Sequence, residues 1–236
     1  ELVENLISYY KNNEKPDFIH AHYADAGYVA VKLSKYFNIP FVFTGHSLGR
    51  EKQRKLLDAG LKINKIEKLY SMHKRIQAEE EALKYADIVV TSTKQESIYQ
   101  YSKYHSFSSQ KAKVIPPGVD HKKFHHIHST TETSEIDSML TPFLRDLTKP
   151  PLLAISRAVR RKNIPSLIEA YGRSEKLKRK TNLILVLGCR ENTSKLDSQQ
   201  KDVFHNIFEM IDKYNLYGKV AYPKRHSSTQ IPSLYR

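Results

Sequence analysis

Two open α/β sheets of parallel strands, joined by a polar passage, are the fold that this chain predicts. Three observations carry the prediction. Short apolar runs of strand length alternate with segments whose apolar residues return at helical spacing, and the turns between them are short. The alternation occurs once before His121 and again after Thr148. The segment between, His121 to Thr148, is polar and rich in His, Ser and Thr, as an interdomain passage would be. Strand, helix, strand with short turns demands parallel pairing with helical crossovers. The expectation is two Rossmann-like lobes facing one another across a cleft, with residues 1–124 in the first, 125–149 as the passage and 150–236 in the second.

The elements follow in order. Leu2, Val3, Leu6, Ile7 and Tyr10 mark one face of a helix from Leu2 to Asn12. Asp17 to His22 reads as a strand, and Val29, Ala30, Leu33 and Phe37 give helical spacing from Tyr28 to Phe37. Ile39 to Thr44 has the length and β-favouring content of a buried strand, followed by a helix from about Arg50. One long helical region runs from Ile63 to Tyr85, Ile88–Val90 is a strand, Lys94 to Tyr104 is helical and Val114–Ile115 is a strand stopped by Pro116-Pro117-Gly118. A helix is expected near Glu135–Leu147. The second alternation has strands at Leu152–Ile155, Leu183–Leu187 and Val220–Tyr222, with helices at Ile164–Tyr171 and Val203–Tyr214.

Bulk properties narrow the function. A hydrophobic content of 39% with 10% aromatics over 236 residues is enough to build a core, which excludes general disorder. No apolar run approaches the length that spans a bilayer, and the first residues carry no signal-type pattern. Cys189 is the single cysteine, so no internal disulfide framework exists and a reducing, cytoplasmic compartment is expected. The net charge of +14 raises a polyanion-binding reading. Lys and Arg are spread along the chain, however, and no nucleic-acid-binding signature appears, so neither a specific nucleic acid nor a membrane is an expected partner. His121, His125, His126 and His128 are weighed as a metal site. Without cysteines or a fixed helical His spacing they read as a solvated loop, so no metal is assigned.

Chemistry is expected at the loops after the strands, where open α/β sheets bind ligands. Thr44-Gly45-His46-Ser47-Leu48-Gly49-Arg50-Glu51-Lys52 gathers an imidazole, a hydroxyl and two cations, and its two glycines would let a polar, anionic guest approach the backbone. His22–Gly27, Ser156–Asn163 and Gly188–Glu191 are the other candidate loops. Arg157, Arg160, Arg161 and Lys162 place four cations in six residues just before a helix, a geometry that suits a pyrophosphate. No dinucleotide fingerprint, P-loop or hydrolase elbow is present, and no covalent nucleophile is evident. Catalysis would therefore rest on positioning and on stabilised charge.

Several ordered stretches carry a resemblance. They are His22-Tyr23-Ala24-Asp25-Ala26-Gly27, Gly45-His46-Ser47-Leu48-Gly49-Arg50, Thr91-Ser92-Thr93-Lys94-Gln95-Glu96 and Val114-Ile115-Pro116-Pro117-Gly118-Val119-Asp120. Ser156-Arg157 with Arg161-Lys162-Asn163, and the run from Ile211 to Lys224, continue it. Together they resemble the sucrose-phosphate synthases, retaining glycosyltransferases of family 4 with the GT-B architecture. The resemblance implies that residues 1–124 are the C-terminal part of an acceptor-binding lobe. It makes 150–236 the N-terminal part of a nucleotide-sugar-binding lobe. It implies transfer of a hexosyl group from a nucleoside diphosphate sugar, UDP-glucose foremost, to fructose 6-phosphate, giving sucrose 6-phosphate with retention. The nucleotide sugar is a co-substrate, and no further cofactor is required by the sequence.

The roles it implies are specific. Tyr23, Asp25, Ser47, Lys52, Lys74 and Arg75 belong to the acceptor site, with the cations on its phosphate. His46 stands beside the transferred sugar. Arg157 and Lys162 grip the donor diphosphate and support its departure, so His46, Arg157 and Lys162 form the catalytic set. Gly188 and Arg190 lie in the donor-binding loop. Val159 stands where the family usually has Asp, and Gly188-Cys189-Arg190-Glu191 where it has Gly-Asn-Arg-Asp. The glycine-rich loop that opens the first lobe and the later acidic motif are not in the sequence, so the chain reads as an incomplete, inactive piece. The alternatives are a catalytically impaired phosphosugar-binding or regulatory homologue, a related disaccharide-phosphate synthase using GDP-mannose, and a basic polyanion-binding module.

Overall fold

A computed structural model of the chain describes residues 1–125 and 134–235. The protein divides into two compact units, Glu1–Gly118 and Val119–Arg236.

The first unit holds β1 (Ile19–His22), β2 (Phe41–Thr44), β3 (Ile88–Thr91) and β4 (Ala112–Val114), in the spatial order β1-β2-β3-β4. All pair in parallel, with Ala21 opposite Phe43 and Phe43 opposite Val89. Its helices are α1 (Leu2–Lys11), α2 (Tyr23–Phe37), α3 (Gly49–Asp58), α4 (Ile63–Tyr70), α5 (Met72–Tyr85) and α6 (Lys94–Tyr99). Phe41, Phe43 and Val89 from the sheet pack with Ala30 and Val31 of α2 and Ala82 and Leu83 of α5. The approach of α2 to the sheet is close: a Cβ on Gly27 would lie 2.8 Å from the Phe43 ring and 3.1 Å from Ala82 Cβ.

Three helices differ from expectation, and β4 runs Ala112–Val114 where Val114–Ile115 is expected. Helix α2 begins at Tyr23, because its first buried positions are the small residues Ala24 and Gly27, which an apolar count passes over. The long helix is broken at Ser71, which takes a left-handed φ of 44°. Ile66 and Met72 are both buried, yet six residues apart on one continuous helix they would point about 120° apart. The break turns both inward. The helix after Lys94 ends at Tyr99 and continues as a 3₁₀ turn, Tyr101–Lys103.

The second unit holds β5 (Pro151–Ile155), β6 (Asn182–Val186) and β7 (Val220–Ala221), parallel and in that order. Leu183, Leu185 and Leu187 point into a core shared with Ile164, Ile168, Val203, Phe204 and Ile207. Ile184 and Val186 point the other way, onto Leu140, Leu144 and Leu234. Alternate residues thus bury both faces of the central strand. The helices are α7 (Ser134–Leu140), α8 (Ile164–Arg173), α9 (Glu175–Lys180), α10 (Ser198–Lys213) and α11 (Gln230–Tyr235). Helix α7 stops before the predicted Leu147, because Pro142 disfavours helical backbone at Thr141. Residues 126–133, including His126 and His128 and part of the predicted passage, lie outside the described residues. No helix among the described residues is long and apolar enough to cross a membrane.

Candidate functional site

The loop after β2 is held from beneath by its own unit. Gly45 N–H donates to the Tyr101 hydroxyl at 2.7 Å, and Arg50 N–H to the Tyr104 hydroxyl at 3.0 Å. Gly49 N–H donates to both carboxylate oxygens of Glu79, at 2.9 and 3.1 Å. The Tyr104 hydroxyl donates in turn to Glu79 Oε2. All three receiving side chains are buried, and burial pushes both tyrosine phenols far up in pKa, so they stay neutral.

This packing explains the glycines differently from the sequence reading. A Cβ on Gly45 would lie 2.5 Å from Leu48 Cδ2 and 3.0 Å from the Tyr101 hydroxyl. One on Gly49 would lie 2.9 Å from both Glu79 Oε2 and Ile76 Cγ1. The glycines make room for the chain's own side chains, not for a ligand. Leu48, which precedes α3, supplies no side-chain cap; Glu79 and Tyr104 take the first two N–H groups of the helix instead. An anion at this loop thus finds the first two N–H groups of α3 already taken.

Cations come from α3 and α5. Arg75 on α5 donates from Nε to Glu79 Oε1 at 3.1 Å and from Nη2 to the Ser47 carbonyl. Lys52 Nζ lies 3.9 Å from the centre of the Tyr70 ring, a cation–π contact. Burial, and then the Arg75 charge, hold the Lys52 ammonium below the usual lysine pKa. Lys52 and Lys74 form no ion pair among the described residues. Beside them a pocket of about 890 Å³ is lined by Tyr23, Asp25, Tyr70, Lys74 and Arg75, among others. Arg50, by contrast, is engaged with Glu80 at 2.7 Å and lies over the Tyr104 ring.

His46, exposed and with a left-handed φ of 53°, closes the arrangement. Its Nε2 is 2.7 Å from His22 Nδ1, and its ring centre is 4.8 Å from that of Tyr23. One proton lies between the two imidazoles, so His22 fixes the orientation of His46 and leaves His46 Nδ1 for another partner. His20 contacts Thr44 Oγ1 at 2.9 Å; burial, then the neighbouring His22 and His46, lower its pKa.

In the second unit the loop after β5 is more open. Val159 N–H donates to the Arg157 carbonyl and Lys162 N–H to the Val159 carbonyl, each at 2.9 Å. The turn that presents Lys162 thus closes through backbone alone, with Val159 in it. Asn163 takes φ 52°, Pro165 lies in the first turn of α8, and no side chain caps that helix. Arg160 pairs with Asp202 at 2.7 Å. Arg157, Arg161 and Lys162 are exposed and form no ion pair among the described residues. Gly188 has φ 82°, with open space where a Cβ would stand. Arg190 is 8% exposed. It donates to the Pro223 and Tyr222 carbonyls at 3.1 Å each and lies 4.5 Å over the Phe204 ring. Burial lowers its pKa. It ties the loop after β6 to the loop after β7.

Residues 3–123 match the family described as Glycosyltransferase Family 4. The chain belongs to that family. Over 94% of its length this family 4 chain is 36% identical to a probable sucrose-phosphate synthase of Vicia faba and 34% identical to sucrose-phosphate synthase 4 of Arabidopsis thaliana. It covers 24% and 25% of those proteins, and so spans about a quarter of the length of the curated relatives it matches. Among solved structures, a sucrose-phosphate synthase from Thermosynechococcus elongatus superposes with a TM-score of 0.69 at 22% identity, over 99% of this chain and 51% of that one. Anabaena HepE, solved in complex with UDP-glucose, gives 0.66 at 19% identity, over 99% of this chain and 53% of its own. The predicted α/β fold of GT-B type is thereby shown, and with it the similarity to sucrose-phosphate synthases.

In the first unit Tyr23, Asp25, Lys74 and Arg75 line one pocket, with His46 against Tyr23, Ser47 held by Arg75 and Lys52 over Tyr70. Within the second unit Arg157 and Lys162 are exposed and Arg190 sits in a buried tie. Sequence reasoning missed Glu79, Tyr101 and Tyr104. The sole signal for Glu79 was its place four residues after Arg75, the spacing of a helical ion pair.

Proposed function

We propose that the chain carries the acceptor-phosphate site and the donor-diphosphate cations of a retaining hexosyltransferase. The donor is a nucleoside diphosphate sugar, UDP-glucose, the acceptor fructose 6-phosphate and the product sucrose 6-phosphate. The observation that carries this reading is that Lys74 and Arg75 line the 890 Å³ pocket while Lys52 lies over Tyr70, another of its lining residues. Of the three, Arg75 alone has a carboxylate partner among the described residues. Burial, and then the nearby Arg75 charge, depress the Lys52 pKa, and a bound dianion would offset both costs. The UDP-glucose complex of HepE and the names of the plant relatives support the donor and acceptor.

In this reading Lys52, Lys74 and Arg75 hold the acceptor phosphate, Ser47 adds a hydroxyl, and Tyr23 and Asp25 shape the sugar's place. His46, oriented by His22, faces the transferred sugar. Arg157 and Lys162 meet the donor diphosphate. Negative charge grows on that group as the glycosidic bond breaks, so fixed cations there act mainly in the transition state. Gly188 keeps its loop open, and Arg190 acts by holding that loop. With its single cysteine, a reducing, cytoplasmic location goes with the reading.

The test is nucleotide release from UDP-glucose by the complete gene product, with and without fructose 6-phosphate. Release that rises on adding the acceptor is expected. No acceptor-dependent release with UDP-, ADP- or GDP-linked hexoses would overturn the proposal.

A further inference from the structure

We infer that Glu79 is the residue that sets Arg75 for an anionic acceptor, a positioning role that deepens the proposed function and rests on it. Glu79 sits in the third turn of α5 and is fully buried. A buried carboxylate is costly unless its oxygens meet donors, and here the donors come from three places. Gly49 N–H reaches both oxygens, the Tyr104 hydroxyl reaches Oε2, and Arg75 Nε reaches Oε1. Glu79 therefore joins the N-terminus of α3, Tyr104 at the end of the 3₁₀ turn after α6, and the guanidinium of Arg75.

The consequence for Arg75 is directional. With Nε on Glu79 and Nη2 on the Ser47 carbonyl, two of its three nitrogens are fixed to groups of its own unit. Nη1 has no partner among the described residues, and Arg75 lines the pocket. A guanidinium pinned along one edge presents its remaining N–H groups in a set direction. Lys52 and Lys74 lack such a tether to a carboxylate, so they supply charge, whereas Arg75 supplies charge with geometry. Glu79 touches no ligand in this scheme and acts through Arg75 and through the loop bearing Ser47.

The experiment is calorimetric titration of the intact chain with fructose 6-phosphate, fructose and inorganic phosphate, for wild type, Glu79→Gln, Arg75→Lys and Arg75→Ala. The Gln side chain keeps the shape and one acceptor but brings an NH2 group against donors. Kd for fructose 6-phosphate and for inorganic phosphate should rise about tenfold or more in Glu79→Gln, with Kd for fructose little changed. A merely structural lesion would weaken all three ligands together, and that result overturns the inference. Arg75→Lys keeps the charge but cannot hold both tethers, so it should lose nearly as much phosphate affinity as Arg75→Ala. An Arg75→Lys variant near wild type shows that charge alone suffices, and it overturns the inference even if Glu79→Gln does not fold. Should the wild-type chain bind neither phosphate nor fructose 6-phosphate, the proposed acceptor site itself falls.

Discussion

The loops after β2 and β5 are both strand-to-helix turns rich in polar groups, and the protein treats them in opposite ways. Around Gly45–Lys52 the backbone donors of Gly45, Gly49 and Arg50 are claimed by Tyr101, Glu79 and Tyr104, and Lys52 is joined by Lys74 and Arg75 from α5. Around Ser156–Asn163 the cations belong to the loop itself, most are unpaired among the described residues, and α8 begins without a side-chain cap. A loop closed on its own unit fixes geometry before any ligand arrives. An open one leaves its charge and its helix N-terminus for the ligand to satisfy.

Four substitutions put that contrast to work. The largest effect should come from Glu79→Ala. It leaves Gly49 N–H, the Tyr104 hydroxyl and Arg75 without their common acceptor, and should cost the first unit about 3–5 kcal/mol in denaturant unfolding. An effect below about 1 kcal/mol would mean that the loop does not depend on its buried carboxylate. Arg157→Ala is the mirror case. Its side chain has no ion-pair partner among the described residues, so stability should stay within about 0.5 kcal/mol. The complete gene product should meanwhile lose about 10²–10³ in kcat, as when other charge-stabilising donors are removed. A stability loss without a rate loss would reverse the contrast.

Lys52→Ala is narrower. KM for fructose 6-phosphate should rise about tenfold, with KM for the donor nearly unchanged, and equal effects on both substrates would remove Lys52 from the acceptor site. The smallest effect concerns pH. Hydrogen bonds from Arg54, then from Lys103, lower the Glu51 pKa from 4.5 to about 2. Its stabilisation is thus complete above pH 4.5 and fades as pH falls toward 2. The Tm difference between wild type and Glu51→Gln, worth about 0.2–1 kcal/mol for such a pair, should shrink over that window. A difference constant from pH 6 to pH 2.5 would contradict the assignment.

How much could be read without coordinates depends on what kind of interaction decides each feature. Leu183 to Leu187 declares itself a doubly buried strand, because the run is apolar at every position and the neighbouring helices carry clear stripes. The cations of Arg157–Lys162 are equally plain, since they lie side by side in the chain. The break at Ser71 is not legible, because local charge patterning favours an unbroken helix and the burial of Ile66 and Met72 overrules it. Nor is Glu79, which stands 30 residues from Gly49 on a charged stretch where a solvated glutamate is the ordinary expectation.

The sequence by itself therefore determined the two α/β units, the order of their strands and helices, the loops that carry charge and the family resemblance. Each of these rests on periodicity or on neighbours in the chain. The tertiary structure alone decided that Gly45 and Gly49 serve packing, that Arg50 and Arg190 are engaged internally, and that Arg75 is aimed by Glu79. Those outcomes depend on which distant donor meets which buried acceptor. A buried polar group takes whatever partner the packing brings within about 3 Å, and spacing along the chain does not encode that meeting.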